Sequence, residues 1–183
     1  RMYVMGNRAL EETAAEDDLQ QMGQAVREAL EAGAIGFSTS MASTHVTPDG
    51  GPVASRIADW TELDYLAAQM AELNSGIFQI GPDVASGEAQ RVFLNRLQQV
   101  ALDSGRPVMF GTISTRQGAD PNPWRYQLDF IDDTVAKGGR MFGQTTTKSI
   151  NAVFSFKSYL PFDNLAEWKD VRALPLAAQK QRL

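Results

Sequence analysis

One histidine, His45, and no cysteine occur in this 183-residue sequence. A tetrahedral zinc site of nitrogen and sulfur ligands therefore cannot be assembled from it, and a cysteine nucleophile and disulfides are excluded as well. Ser38 and Ser40 close a short apolar run. A serine nucleophile needs a base within reach, and His45 is the one imidazole available, so a structural hydrogen bond is the plainer role for both hydroxyls. Asp49 and Asp83 offer carboxylates, but each stands beside proline or glycine, where turn formation explains them. Gln79 and Gln144 interrupt otherwise apolar strands. An amide buried without a partner costs ~1–3 kcal/mol, so each must find one or face an open mouth. Arg116, in a loop with Gln117 and Arg125, has the planar fork that grips a carboxylate, although a solvated loop arginine is the simpler reading. Residues 81–87 lack the glycine spacing of a phosphate loop. We take Ser40, His45, Gln79, Arg116 and Gln144 as candidate substrate-binding residues, and expect no catalytic residue and no metal ligand within the chain itself.

The elements that must position these residues follow a repeat. Amphipathic helices over residues 16–32, 61–74, 88–104 and 126–137 each run into glycine, at Gly33, Gly76, Gly105 and Gly138. Glycine just past a helix adopts the left-handed conformation that closes its last turn. Short apolar strands follow at 34–38, 77–80, 107–110 and 140–143, without the polar alternation of a half-exposed sheet. Helices alternating with such strands make βαβ units, and the fold class is α/β. The period of roughly 30–40 residues suits an eight-stranded barrel of ~250 residues. With residues 2–5 read as a strand, the chain supplies about five strands of a partial (β/α)8 TIM-type barrel; an open doubly wound sheet fits the periodicity nearly as well. Ile35, Phe37, Phe78, Ile80, Val108 and Phe110 are expected to be buried. The strand-to-helix segments 39–59, 81–87, 111–123 and 145–159 are longer and more polar than the return connections, which marks the binding face.

The net charge of −5 disfavours a nucleic-acid surface, which needs clustered Lys and Arg. No apolar run is long enough for a transmembrane helix, and a cytoplasmic setting is the default. Apolar content of 43% and charged content of 21% are those of an ordinary globular domain. Residues 1–5 read as the second half of a strand and residues 175–183 as a helix still in progress. We therefore expect residues 1–183 to be a single α/β segment of a larger barrel domain.

The stretch ALEAGAIGFSTS at 29–40, followed by His45, Asp49-Gly50-Gly51-Pro52 and Glu62-Leu63, resembles the N-acyl-D-amino-acid deacylase branch of the amidohydrolase superfamily. RMYVMGNRAL at 1–10, SGRPVMF at 104–110 and the tail from Pro161 through Trp168 to Leu174-Pro175 add to the likeness, which covers nearly the whole chain. The resemblance implies barrel strands three to seven of a metal-dependent hydrolase that cleaves the amide of N-acyl-D-amino acids, with zinc in the parent protein. It also implies histidines at the ends of the fifth and sixth strands, around residues 79–81 and 110–112, and neither segment contains one. A non-catalytic (β/α) domain that binds a small molecule or a protein partner is the alternative. The expected partners are an amide substrate and either the remaining barrel segments or a second copy, paired through residues 3–5 and 141–142. The isolated chain is expected to show no amidase activity.

Overall fold

The computed structural model describes residues 1–83, 87–113, 122, 124–149, 151, 153–157, 160, 162–163 and 165–182. Four strands, β1 (Gly36–Ser40), β2 (Ile77–Gly81), β3 (Val108–Gly111) and β4 (Met141–Gln144), form one parallel sheet in the order β1-β2-β3-β4. Short helix α1 (Met2–Met5) precedes α2 (Glu16–Glu31); α3 (Trp60–Glu72), α4 (Glu88–Ser104) and α5 (Arg125–Ala136) alternate with the strands, and α6 (Ala166–Arg172) and α7 (Leu176–Arg182) follow.

Alternation along a strand sends successive side chains to opposite faces. On one face Phe78, Ile80, Val108, Phe110 and Met141 are buried against Leu63 and Met70 of α3 and Leu94, Leu97 and Val100 of α4. Phe130 and Ile131 of α5 pack on the same cluster. Helices α2 to α5 contact one another in chain order. A doubly wound sheet would carry helices on both faces and reverse its strand order. Sequential strands with every core-forming helix on one face are instead the arrangement of a (β/α)-barrel wall, so of the two architectures left open by periodicity the barrel is the one observed. Gly23 lets α2 and α3 approach closely: a Cβ there would stand 2.8 Å from the Tyr65 ring. Between α4 and α5, Gln98 donates to Thr134 Oγ1 at 2.9 Å and to Asp133 at 2.9 Å, so its buried amide is satisfied.

Several expectations are corrected. Residues 2–5 are helical, not a fifth strand: Val4 and Met5 donate to the Arg1 carbonyl, and Met5 joins Ala9 and Ala54 in a small separate cluster. Among the described residues the sheet has four strands. Ile35 is 86% exposed, because β1 begins one residue later and nothing covers the margin of the sheet there; Phe37, on the edge strand, is only half-buried. On α4 the apolar spacing of Val92, Phe93, Leu97 and Val100 predicts an inward face that includes Val92; Val92 is instead exposed, and Leu94 takes the inward position. Helix α3 starts earlier than expected, with Asp59 as its N-cap accepting from the Glu62 amide at 2.9 Å. Asn74, at φ 48°, closes α3 ahead of Gly76, a position that asparagine tolerates better than most side chains.

Candidate functional site

Among the described residues none covers the face of the sheet opposite the helices. Register places Ser38, Gln79, Met109 and Phe142 in one row across it. The next row, toward the strands' C-terminal ends, runs Ser40, Gly81, Gly111 and Gln144. The two central glycines leave a trough between the flanking polar side chains. A Cβ on Gly111 would come within 2.8 Å of Gln144 Cβ, and one on Gly81 within 3.0 Å of Ser40 Oγ. In the lower row the Ser38 hydroxyl donates to Gln79 Oε1.

At the β1 end of this face, residues 41–58 fold into a compact loop. It is fixed where Met41 donates to the Gly81 carbonyl at 2.8 Å and Ser43 donates its amide to Asp83 Oδ1 at 3.0 Å. Asp83 thus ties the loop to the end of β2; the turn expected at it falls on residues 84–86, which lie outside the described residues. Asp49 lies in the turn expected of it, where Gly50 donates to the Thr47 carbonyl at 2.9 Å, and a hydrogen bond from Thr47 holds its carboxyl below the usual carboxylate range. A cavity of about 470 Å³ opens between β1, this loop and the start of α3. That volume is within the range of small-molecule sites. Ser40, His45 and Gln79 all line it. Ser40 Oγ accepts from the Ala42 amide at 3.2 Å, and His45 is exposed, its carbonyl accepting from Arg56. Gln144 lies on the same face but two strands away, outside the cavity, and Arg116 lies outside the described residues.

The cavity also contains residues that the sequence did not single out. Arg1 and Glu62 form an ion pair whose side chains are 7% and 5% exposed. Arg1 also donates to the Ala9 and Glu12 carbonyls, which ties residues 1–12 to α3. Burial pushes the Glu62 carboxyl above its ordinary pKa, and the Arg1 guanidinium opposes that shift. The one signal in the sequence was Asp59-x-x-Glu62, the spacing of a helix N-terminus. Nothing local flagged Arg1.

Among the described residues no group of three or more His, Cys, Asp or Glu comes together as a metal site would require. The strand-end positions on the uncovered face offer hydroxyls, carboxamides and glycine, which do not fit a zinc centre. No described helix is long and apolar enough to cross a membrane.

No protein-family model and no curated protein matches the sequence. Solved structures of D-aminoacylase are similar to it in fold. One, on the functional role of the binuclear metal centre in D-aminoacylase, aligns with a TM-score of 0.60 at 18% identity, covering 77% of this chain and 27% of that one. Another, described as defining a novel subset of amidohydrolases, gives a TM-score of 0.58 at 18% identity with the same shares covered. The chain therefore spans little more than a quarter of the length of the structures it matches. At this identity the likeness is one of fold, and it agrees with the barrel-wall arrangement of strands and helices.

Proposed function

We propose that this chain forms part of the barrel of a hydrolase that cleaves a non-peptide C–N bond, the amide of N-acyl-D-amino acids or a related compound. In this reading its uncovered face forms one wall of the substrate site. The observation that carries it is the coincidence of a D-aminoacylase-like wall with a cavity at the strand ends lined by Ser40, His45 and Gln79, where barrel enzymes bind their substrates. Ser40, His45, Gln79, Arg116 and Gln144 are the residues we assign to substrate binding. They bind and orient the amide. Zinc in the parent protein would depend on ligands other than the described residues. The uncovered face would be completed by further barrel segments or by a second copy of the chain.

A non-catalytic domain that binds a small molecule is favoured by one observation: among the described residues no three His, Cys, Asp or Glu side chains come together. Incubation of the protein containing this chain with N-acetyl-D-amino acids, followed by assay for released acetate, separates the two readings. Turnover that falls at least about tenfold in Gln79→Ala supports the hydrolase. Binding of the same compounds without acetate release supports the alternative.

A further inference from the structure

The fold neighbours include a protein described by its binuclear metal centre, yet the corresponding face here is furnished for a different contact. The Gln79 carboxamide oxygen, the atom of that side chain with lone pairs to offer a cation, already accepts from the Ser38 hydroxyl. Its nitrogen keeps two hydrogens that no described residue accepts, and the Gln144 side chain has no hydrogen-bond partner among the described residues. Both side chains lie on the uncovered face, Gln144 in the row of Gly81 and Gly111 and Gln79 in the row below, and neither row holds a carboxylate or imidazole. They stand two strands and two residues apart, about 12 Å on the diagonal, the span of a small extended ligand. Carboxamide hydrogens repel a divalent cation and donate well to a carbonyl oxygen. Zinc, copper, iron and nickel prefer imidazole or thiolate ligands, with carboxylate beside them, and these rows lack all three.

We infer that this sheet holds the carbonyl of a neutral amide on the Gln79 side-chain nitrogen, with Gln144 at the far end of the trough, and ligates no divalent metal. The inference rests on the reading of the uncovered face as a substrate wall. It adds that the contact is a hydrogen-bond donor where a metal-bearing wall would place ligands. The Ser38 hydroxyl sets the direction of the contact, because its bond to Oε1 turns the nitrogen, not the oxygen, toward the ligand.

Side-chain and backbone resonances of the ¹⁵N-labelled protein containing this chain report on this directly, with N-acetylglycinamide as one titrant and zinc chloride as the other. The amide should shift the Gln79 side-chain NH₂ pair and the backbone signals of Ser40 and Gly81. Gln79→Ala should weaken that binding about 2- to 10-fold, the value of one neutral hydrogen bond, and Gln79→Glu should weaken it as well. Equimolar zinc chloride should leave Ser38, Ser40, Gln79 and Gln144 unmoved. Saturable zinc shifts at those residues would overturn the inference, as would amide shifts on this face that spare the Gln79 side chain; both leave the substrate-wall reading standing. Amide shifts confined to the helical side would overturn the reading and the inference together.

Discussion

Ser38 and Gln79 stand opposite each other on β1 and β2, and the Ser38 hydroxyl donates to the Gln79 carboxamide oxygen. The pair lies at the rim of the cavity, where a polar side chain in an otherwise apolar strand is satisfied without being buried. Ser38→Ala should lower stability by no more than ~1 kcal/mol, since the freed oxygen can turn to water. It should weaken amide binding as much as Gln79→Ala does, because the carboxamide loses its fixed orientation. Urea denaturation and an amide titration on the same variant test both halves.

The Arg1–Glu62 pair should behave as a buried pair. Arg1→Ala strands the carboxylate in a dry site and should cost ~3 kcal/mol or more near neutral pH. Because burial raises the folded-state pKa of Glu62, protonation favours the folded form. The stability linked to this group is complete below the ordinary glutamate pKa and is lost as pH rises through the raised value. The Arg1→Ala deficit should therefore shrink toward pH 4, and Glu62→Gln in the same background should flatten that pH dependence. Denaturant midpoints at pH 4 and pH 7 measure it.

Asp18 has the opposite sign. Its hydrogen bond from the Arg8 guanidinium, at 2.7 Å, and one from the Ala15 amide hold its pKa below the usual aspartate value. The stability it adds is present above the unfolded-state pKa and is lost as pH falls through the lowered one. Asp133, held down by Lys137 and Gln98, acts in the same direction. Thermal melts between pH 6 and pH 2 should show acid destabilisation that Asp18→Asn makes less steep.

Much of this was legible in the sequence because helix and strand periods are local. The bounds of α4 and the four parallel strands follow from apolar spacing and from glycine punctuation. What was not legible depends on neighbours distant in sequence. Residues 2–5 have the apolar content of a strand, but no strand offers them a ladder, and the Arg1 carbonyl starts a helical turn instead. Val92 looks as apolar as Leu94, and only the direction in which α4 meets the sheet decides between them. Ser40, His45 and Gln79 could be suspected from their place after strands. Arg1 and Glu62 join them through a contact 61 residues long in sequence.

The assignment of inward faces has a simple check on α4. Leu97 is fully buried and Val92 is about half exposed. Leu97→Ala should cost ~2–5 kcal/mol, and Val92→Ala no more than ~0.5 kcal/mol. Equal losses in equilibrium denaturation would mean that the helix is rotated from the orientation described.

The trough between Ser40 and Gln144 exists because positions 81 and 111 lack side chains. Gly111→Ala would set a Cβ 2.8 Å from Gln144 Cβ. It should displace that side chain and weaken amide binding severalfold while the far-ultraviolet circular dichroism is unchanged. Unaltered binding would place the ligand away from β3 and β4.

In the proposed function the uncovered face of this sheet, at the C-terminal ends of its strands, is a substrate wall. A crystal structure of the protein containing this chain, grown with N-acetyl-D-leucine, tests it most directly. The ligand amide should lie on the Ser40 and Gln79 side of the sheet, with its carbonyl within hydrogen-bond reach of the Gln79 side-chain nitrogen. Ligand density among the helices, or at the N-terminal ends of the strands beside Ile35 and Arg140, would contradict it.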